Sequence, residues 1–313
     1  MAAPQRDEAV AKILVTPRSL TRGGDPALEL LKKAGHQLVF CTPGKAPDER
    51  ELAGLVPGCA GWLAGVEKIT DAVLAKADCL KAISRNGTGV DAIDLAACER
   101  RGIRVLRAEG ANARGVAELA MALILGLLRS VPFADARLKA GAWERRQGTE
   151  LEGRTLGVIG TGRIGRLVTK FALAMDMRVL GHDALPDSRY APSPEFRYAT
   201  LEELLASSDI VSLHCPPGEK PLVDAAAIAR MKKGAILVNT ARAGLVDDAA
   251  VLAALQDGRL AGYGVDAFEK EPPDPSPLLS HERVIATPHV GAFTAESVSR
   301  ATRAAVDNLL GVL

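Results

Sequence analysis

The sequence has almost no excess of charge of either sign. Its 39 lysine and arginine residues against 38 aspartate and glutamate residues leave a formal net charge of +1. A protein that binds DNA, RNA or an anionic membrane by electrostatics needs a basic surface, and this balance gives no indication of one. We therefore expect neither a nucleic acid nor a membrane as a partner.

Long apolar segments are also missing. The longest, Val116 to Leu128, is interrupted by Glu118 and is too short to span a bilayer. The first ten residues, Met1 to Val10, carry three charged side chains and lack the apolar stretch of a secretory signal. These absences favour a cytoplasmic protein.

The sequence also lacks clustered cysteines. The five cysteines are odd in number and widely separated, with no CxxC pair: Cys41, Cys59, Cys79, Cys98 and Cys215. This pattern argues against a disulfide framework and against a zinc site, and it is typical of reduced thiols in a cytosolic protein. We expect no metal.

The 313 residues suffice for about two domains, and short apolar runs alternate with helix-length segments throughout. This alternation indicates an α/β protein with parallel sheets. Two such series are divided near residue 107, and one long helix is predicted after it, from Val116 to about Ala140. The predicted strands are Lys12–Thr16, His36–Phe40, Gly61–Ala64, Lys81–Ser84, Arg104–Leu106, Thr155–Gly160, Met177–His182, Ile210–His214, Ala235–Asn239, Ala261–Ala267 and Val284–Thr287. Further helices are predicted over Pro26–Ala34, Leu201–Ala206, Ala249–Asp257 and Thr294–Leu310.

A glycine-rich turn opens the second series. The predicted strand ending at Gly160 runs into Gly160-Thr-Gly162-Arg-Ile-Gly165, and a helix is predicted from Arg166 to about Ala174. Gly160 permits a tight turn, Gly162 lets a pyrophosphate approach the backbone, and Gly165 lets the helix pack closely on the strand. The order strand, turn, helix and strand favours dinucleotide binding over a purely structural turn.

An acidic residue follows at the spacing that a dinucleotide site requires. Asp183 ends the next predicted strand, 18 residues after Gly165. A carboxylate there accepts hydrogen bonds from the ribose of NAD and repels the 2′-phosphate of NADP. This favours NAD, although His182 and Arg189 nearby leave NADP open.

Charged residues follow the predicted strands of the second series where ligands of open α/β sheets bind. Arg242 follows Ala235–Asn239, Asp266 and Glu271 follow the next strand, and His289 follows the last. These residue types suit hydride transfer to a 2-oxo acid. Arginine grips a carboxylate in a fixed geometry, and histidine supplies and removes a proton near neutral pH.

Each of these residues also has a structural interpretation. Arg242 suits a surface ion pair and His289 a turn, whereas Glu271 in its proline-rich loop suits a solvated side chain. Asp266 suits either a helix N-cap or a cofactor contact. His214 and Cys215 are interpreted as wall residues of the site. The remaining histidines, His36, His182 and His281, are expected to face solvent.

Several segments resemble the D-isomer-specific 2-hydroxyacid dehydrogenases, and most of all the D-3-phosphoglycerate dehydrogenases. KAGAWERRQGTELEGRTLGVIGTGRIG begins at Lys139, and RNGTGVDAID begins at Arg85. Further similar segments, in the family's order, are NARGVAEL, VNTARAGLVDD, GVDAFEKEPP and TPHVGA. The resemblance extends over nearly the whole chain.

The resemblance implies two Rossmann-like or flavodoxin-like parallel-sheet domains with a cleft between them. Residues 1–107 plus 287–313 would form a discontinuous substrate-binding domain, and 108–286 the NAD-binding Rossmann domain. The family usually forms dimers through the region 116–150, or dimers of dimers. No added regulatory domain is expected after Leu313.

The resemblance also implies roles for individual residues. Arg242, Glu271 and His289 would be catalytic, with His289 as the acid and base and Glu271 as its partner. The nicotinamide carboxamide would contact Asp266 and the backbone near Thr240 and Ala241. Thr88, Arg163, Ile164, Cys215, Pro216 and Gly291 fall on further cofactor positions, beside Gly160, Gly162, Gly165 and Asp183. Gly87 and Gly89 would bind the substrate carboxylate through their N–H groups, together with Arg85 and Arg242.

The chain departs from the phosphoglycerate enzymes at the substrate. In those enzymes an arginine commonly binds the phosphate group of the substrate. The corresponding segment of this chain, Gly61-Trp-Leu-Ala-Gly-Val66, has no basic residue. Arg85 remains, and Arg145 or Arg146 would have to reach across a dimer interface. The apolar or uncharged tail of hydroxypyruvate, glyoxylate or another small 2-oxo acid suits the Trp62–Val66 segment as well. Ala243 also replaces the glycine that usually follows the catalytic arginine.

We therefore expect an NAD-dependent oxidoreductase acting on a CH–OH group, similar to phosphoglycerate dehydrogenase. The alternative within the class is a hydroxypyruvate or glyoxylate reductase. An alternative of another class is an NAD(H)-sensing protein similar to the corepressors of this superfamily.

Overall fold

The computed structural model describes residues 10–22 and 25–313. Most of the segment Met1 to Val10, for which we predict no secretory signal, therefore lies outside the described residues. The chain forms two compact units. Unit 1 contains Met1–Asn112 and Ala295–Leu313, and unit 2 contains Ala113–Thr294.

Unit 1 is built on a parallel sheet of five strands in the order β2-β1-β3-β4-β5. Its strands are β1 Lys12–Val15, β2 Gln37–Phe40, β3 Cys59–Ala64, β4 Ala82–Arg85 and β5 Arg104–Arg107. Its helices are α1 Leu28–Lys33, α2 Glu49–Leu55, α3 Asp71–Leu74, α4 Leu95–Arg100 and α11 Ala295–Leu310. The strand order is that of flavodoxin-like folds and reverses between β1 and β3.

Helices cover both faces of this sheet because neighbouring residues of a buried strand point to opposite sides. Ile13 and Val15 pack on one face with Leu309 of α11. Leu14, between them, packs on the other face with Leu52 of α2. Both sides of β1 therefore need an apolar cover, which explains its uninterrupted apolar sequence.

Unit 2 is built on a parallel sheet of seven strands in the order β12-β11-β10-β9-β6-β7-β8. Its strands are β6 Thr155–Ile159, β7 Arg178–His182, β8 Phe196–Tyr198, β9 Ile210–Leu213, β10 Ala235–Asn239, β11 Leu260–Val265 and β12 Val284–Ala286. Its helices are α5 Ala113–Leu128, α6 Val131–Lys139, α7 Arg163–Leu173, α8 Leu201–Ser207, α9 Ala225–Arg230 and α10 Asp248–Gln256. This is the Rossmann order with one added strand, and it reverses between β6 and β9.

These two sheets confirm the predicted fold class. Each predicted strand occurs, with its ends within two residues of the prediction. The sequence analysis missed β8, a three-residue strand at the sheet edge. Such a short strand shows no periodicity to detect.

The prediction of one long helix after Val116 is wrong. α5 ends at Leu128, and α6 begins at Val131 with its axis bent by 62° from that of α5. Pro132 has no N–H to donate to the carbonyl of Leu128, and its ring would clash with that carbonyl in a continuous helix. Ser130 accommodates the break with a positive φ of 49°.

In the described ranges, no single helix is long and apolar enough to cross a membrane. α5 and α6 reach that length and composition only when they are taken together. Within unit 2, Ala117, Ala120 and Ile124 of α5 are fully buried in the hydrophobic core.

Candidate active site

The glycine-rich turn connects β6 to α7 at the point where the strand order of unit 2 reverses. Gly160 has a φ of +93°, and a Cβ there would lie 2.6 Å from the backbone of His214. A Cβ at Gly165 would lie 2.0 Å from the carbonyl oxygen of Gly160. Both glycines are therefore required by the fold of unit 2 itself.

Gly162 is different, because a Cβ there would meet no atom within 4 Å. It is the N-cap of α7, which begins at Arg163 and not at Arg166 as predicted. The reason is that the Arg166 N–H already donates to the carbonyl of Gly162 (2.9 Å). The first N–H groups of α7, including those of Arg163 and Ile164, have no acceptor within the helix and suit an anion.

Asp183 lies directly after β7 and contacts the glycine-rich turn. Its Oδ2 accepts hydrogen bonds from the Thr161 N–H (2.7 Å) and hydroxyl (3.1 Å), and its Oδ1 accepts one from the Leu185 N–H (3.0 Å). Burial acts to raise the pKa of Asp183, but these hydrogen bonds outweigh it and hold the pKa below its usual range. The carboxylate is therefore ionised at neutral pH.

The two basic residues that left NADP open have partners within unit 2. The His182 imidazole Nδ1 lies 3.1 Å from the carbonyl oxygen of Ala199. The Arg189 guanidinium pairs with Asp187 (3.2 Å).

Charged residues follow β10, β11 and β12, which are neighbours in the sheet of unit 2. This topology brings the carboxyl ends of the three strands to one edge, as the sequence analysis predicted. At this edge His289 Nδ1 lies 2.7 Å from Glu271 Oε1. The two side chains are 46% and 41% exposed, so the pair is open to a small molecule.

The hydrogen bond to Glu271 leaves the other ring nitrogen of His289 available. Nε2 has no partner in the described part of the chain. Glu271 also accepts a hydrogen bond from the N–H of Phe268 (3.3 Å). The pair can therefore exchange a proton with a bound molecule while the carboxylate stabilises the imidazolium.

Asp266 follows β11 directly and is only 2% exposed. Its Oδ1 accepts hydrogen bonds from the Thr287 hydroxyl (2.6 Å) and the Val290 N–H (2.8 Å), and its Oδ2 from the Gly291 N–H (2.8 Å). The helix N-cap interpretation is wrong, because no helix follows Asp266. A carboxylate has about four acceptor sites, so one remains for a ligand.

Arg242 follows β10 and is half-buried. Its Nη1 donates to the carbonyl oxygen of Ala241 (2.8 Å). The Asn239 side chain fixes the turn, since it donates to the Arg242 carbonyl (2.8 Å) and accepts from the Ala241 N–H (3.0 Å). Ala243 begins a short 3-10 helix. That conformation does not require the glycine usual in the family.

Thr240 is buried, and its hydroxyl has no hydrogen-bond partner among the described residues. Unsatisfied buried hydroxyls are uncommon in folded proteins. Thr240 Oγ1, the open space at Gly162 and the first turn of α7 are the features of unit 2 that fit a dinucleotide.

The residues predicted to form a wall of the site lie between β9 and α9. Cys215 is half-buried, and burial raises the pKa of its thiol. Pro216 beside it is exposed. His214 Nε2 lies 2.9 Å from the Ser212 hydroxyl, and burial lowers the pKa of His214 to about 4. The half-buried imidazole is therefore neutral at pH 7, and its role as a wall residue stays a prediction.

The expectation that His36 faces solvent is wrong. It is buried in unit 1, and its Nδ1 accepts a hydrogen bond from the Ala11 N–H (3.4 Å). His182 is half-buried in unit 2.

In unit 1, the predicted substrate residues lie at the end of β4 and directly after it. Arg85 Nη1 donates to the Asn86 carbonyl (2.6 Å), and a Cβ at Gly87 would lie only 2.8 Å from that nitrogen. The guanidinium thus lies against the backbone of Gly87, which has a φ of +151°. The hydroxyl of Thr88 donates to Asn112 (3.0 Å), and Gly89 is half-buried.

The interpretation of Trp62–Val66 as a binding segment is wrong for Trp62. Trp62 lies in β3, is fully buried, and donates from Nε1 to the Thr16 hydroxyl (2.9 Å). Glu67 is buried beside it and accepts hydrogen bonds from Thr16 and from the Gly65 N–H. Only the end of the segment, with Val66, is exposed.

The sequence analysis missed Arg18. It follows β1 at the point where the strand order of unit 1 reverses, and it is exposed with no side-chain partner among the described residues. Ligands of open α/β sheets bind at such a reversal. The signal in the sequence is a basic residue shortly after the first predicted strand.

Arg145 and Arg146, the other candidates for a phosphate, differ in their surroundings. Arg146 pairs with Glu282 (2.6 Å) and lies over the Phe133 ring at 3.4 Å, so it is already engaged within unit 2. Arg145 is exposed and has no partner in the ranges that the structure describes.

Those ranges also contain no cluster of three His, Cys, Asp or Glu residues that could hold a metal ion.

A doubly wound parallel sheet with this glycine-rich turn and an acidic residue after the next strand defines a dinucleotide-binding domain. Residues 121–291 match the family "D-isomer specific 2-hydroxyacid dehydrogenase, NAD binding domain". The chain belongs to this family, and unit 2 carries its NAD-binding domain.

Similar proteins agree with this assignment. A D-3-phosphoglycerate dehydrogenase of Methanocaldococcus jannaschii is 42% identical over 251 residues, which are 79% of this chain and 48% of that protein. One of Rattus norvegicus is 39% identical over 80% of this chain and 48% of its own length. The chain therefore spans about half the length of these curated relatives.

Solved structures extend the similarity to almost the whole chain. The TT0316 protein of Thermus thermophilus is 37% identical with a TM-score of 0.86, over 96% of both chains. D-Lactate dehydrogenase of Aquifex aeolicus, solved with NAD and lactic acid, is 30% identical with a TM-score of 0.80, over 96% of this chain and 94% of that one. A glyoxylate reductase of Paecilomyes thermophila is 27% identical with a TM-score of 0.83, over 97% and 95%.

Proposed function

We propose that the protein is an NAD-dependent dehydrogenase that transfers a hydride between C2 of a 2-hydroxy acid and C4 of the nicotinamide. The observation that supports this most directly is the 2.7 Å contact between His289 and Glu271 at the carboxyl edge of the Rossmann sheet. Bound NAD would supply the hydride acceptor, which no side chain of the protein can provide.

Most of the residues proposed to hold the cofactor lie in unit 2, and one of them, Thr88, lies in unit 1. The N–H groups at Gly162, Arg163 and Ile164 would bind the pyrophosphate, and Asp183 the adenosine ribose. Thr240, Ala241 and Asp266 would bind the nicotinamide carboxamide, for which the Thr240 hydroxyl and one acceptor site of Asp266 remain. Cys215 and Pro216 would line the adenosine side. Further cofactor contacts are proposed for Thr88, Gly160, Gly165 and Gly291.

The proton steps fall to His289. In oxidation, Nε2 would take the proton of the 2-hydroxyl group, and in reduction it would return that proton to the carbonyl oxygen. Glu271 would stabilise the imidazolium through Nδ1. Arg242 would bind the substrate carboxylate or polarise the carbonyl oxygen through its guanidinium.

We propose a phosphorylated 2-hydroxy acid of the 3-phosphoglycerate type as the first substrate. Support comes from the identity to phosphoglycerate dehydrogenases and from cations at strand ends of unit 1, Arg18 and Arg85. Gly87 and Gly89 would bind the substrate carboxylate. Arg145 of a second copy is a further candidate for the phosphate.

Reduction of a small unphosphorylated 2-oxo acid is the alternative. The end of β3 favours it, because Ala64, Gly65 and Val66 carry no charge and the Val66 side chain is 62% exposed. An exposed apolar side chain suits a small uncharged group on C2, such as the hydroxymethyl group of hydroxypyruvate or the hydrogen of glyoxylate, better than a phosphate.

Two sets of assays separate these possibilities. The first follows NADH oxidation with hydroxypyruvate, glyoxylate, pyruvate and 2-oxoglutarate, and the second follows NAD reduction with 3-phosphoglycerate. A higher kcat/KM for 3-phosphoglycerate supports the first proposal, and a higher value for an unphosphorylated acid supports the alternative. NADH binding without turnover of any of these acids would contradict both.

We also propose a homodimer, or a dimer of dimers, formed through the region 116–150. α6 has no buried residue, and Trp143 in the following irregular segment is 82% exposed. An isolated helix of nine residues is marginal in water, so a second copy is the expected cover. Light scattering should show the mass of a dimer or a multiple of it, and monomers at micromolar concentration would contradict the proposal.

The units have separate proposed roles. Unit 1 would bind the substrate and unit 2 would bind NAD. The expected domain bounds, 1–107 plus 287–313 and 108–286, differ from those of the units, since 108–112 lie in unit 1 and 287–294 in unit 2. The five free thiols support a reducing, cytoplasmic location. Fractionation of the native cells would test the location.

A further inference from the structure

The segment that carries His289 is held to the end of the neighbouring strand by one carboxylate. Asp266 receives three hydrogen bonds, and all three donors belong to the five residues 287–291. The Thr287 N–H adds a backbone bond to the Val265 carbonyl (2.9 Å). Asp266 thus closes a short loop on both sides of His289.

His289 itself has an unfavourable backbone conformation. Its φ is +51°, in the left-handed region that side chains with a Cβ rarely adopt. Such a conformation persists only where neighbouring contacts enforce it. The bonds from Thr287 and Val290 to Asp266 Oδ1 lie on either side of His289 and supply that enforcement.

The third bond explains the glycine at position 291. A Cβ at Gly291 would lie 3.1 Å from Asp266 Oδ2 and 3.3 Å from Val116. A side chain at this position would therefore press on the carboxylate that its own N–H contacts. The loop therefore packs closely against Asp266 at Gly291 as well.

The backbone and the ring of His289 are thus held by different carboxylates. Asp266 fixes the backbone, and Glu271 fixes Nδ1 of the ring. The side-chain torsions between these two points have little freedom left, so the direction of Nε2 is set before any ligand binds.

We propose that Asp266 and Thr287 are positioning residues that hold His289 in its left-handed conformation and so aim Nε2 at the substrate oxygen. This inference rests on the proposed dehydrogenase function. It gives Asp266 a second role besides its proposed contact with the cofactor, and it gives Thr287 a role although Thr287 is not a proposed ligand contact.

Thr287 separates the two roles of Asp266. Thr287→Val keeps the shape and burial of the side chain but removes the hydroxyl that contacts Asp266, and Thr287→Ser keeps the hydroxyl. For Thr287→Val we expect kcat to fall about tenfold, because small misplacements of a catalytic group are costly. The Kd of NADH, measured by fluorescence, should stay within twofold, and Thr287→Ser should recover most of the rate.

A matched control excludes a general loss of stability. The hydroxyl of Thr200 caps α8 by accepting a hydrogen bond from the Glu203 N–H (3.2 Å), and it makes no contact with the loop. Thr200→Val should lower the midpoint of unfolding with kcat unchanged. An equal fall of kcat in Thr200→Val and Thr287→Val, or a Kd of NADH that rises in step with the loss of kcat, would overturn the proposal.

Nuclear magnetic resonance of protein labelled with ¹⁵N-histidine gives a readout that does not need turnover. The His289 signals, identified by their absence in His289→Gln, should change in Thr287→Val and return towards their original positions in Thr287→Ser. Unchanged signals in Thr287→Val would refute the positioning role. Absence of turnover in the wild type, with signals that change as expected, would contradict only the proposed function.

Discussion

Two glycines of the glycine-rich turn separate the stability of the fold from cofactor binding. Substitution of Gly165 should lower stability, whereas substitution of Gly162 should weaken NADH binding. For Gly165→Ala, the new Cβ would lie 2.0 Å from the Gly160 carbonyl oxygen, so α7 or the turn must shift. Overpacking of this kind costs about 1–3 kcal/mol. In a unit of this size that corresponds to a loss of roughly 2–12 °C in Tm.

Gly162→Ala should leave stability almost unchanged. The Cβ would meet no atom within 4 Å, and Gly162 has an ordinary extended conformation with φ −73° and ψ −159°. The entropy gained by replacing glycine and the weaker N-cap nearly cancel, within about 0.5 kcal/mol. The methyl group would instead occupy the approach of the pyrophosphate. We expect the Kd of NADH to rise about tenfold, or about 1.4 kcal/mol.

Thermal unfolding and NADH fluorescence titration of the two variants measure both quantities. The expected pattern is a lower Tm for Gly165→Ala and a normal Tm with weaker NADH binding for Gly162→Ala. Wild-type affinity in Gly162→Ala would refute the assignment of the open space at Gly162 to the cofactor.

Three further predictions concern charge. His214, whose pKa burial lowers to about 4, binds a proton in the unfolded state below about pH 6.5 but not in the folded state. It should therefore make the free energy of unfolding about 2 kcal/mol smaller at pH 5 than at pH 7, and urea titrations of the wild type and His214→Gln should differ in this dependence. Asp183→Ser should bring the Kd values of NADH and NADPH, measured by fluorescence, within about tenfold of each other, and an unchanged preference for NADH would contradict the ribose contact. Arg18→Ala should raise KM for 3-phosphoglycerate about tenfold with little effect on glyoxylate, whereas Arg22→Ala should change neither.

The part of the candidate site that could be predicted best from the sequence is the glycine-rich turn with Asp183, because its residues are close together along the chain. The turn from Gly160 to Gly165 and the acid at Asp183 lie within 24 residues, and Asp183 accepts a hydrogen bond from Thr161 of that turn. The spacing of such residues is visible in a single sequence. The strand series likewise predicted both parallel sheets, because apolar runs mark buried strands.

Contacts between distant segments were beyond this reasoning. The bond from Thr287 to Asp266 joins residues 21 apart and depends on the pairing of β11 with β12. The burial of Trp62 depends on a hydroxyl 46 residues earlier, that of Thr16. The helix break at Pro132 was a different failure, because the proline was visible and its effect on the predicted helix was not applied.

The most direct test of the central claim compares NADH oxidation by the wild type and His289→Gln at saturating 2-oxo acid, with the Kd of NADH measured for both. The account predicts a fall in kcat of about 10²–10⁴-fold, the usual contribution of a general acid, with NADH affinity unchanged. Retention of most of the wild-type kcat in His289→Gln would contradict the claim that this histidine transfers the proton.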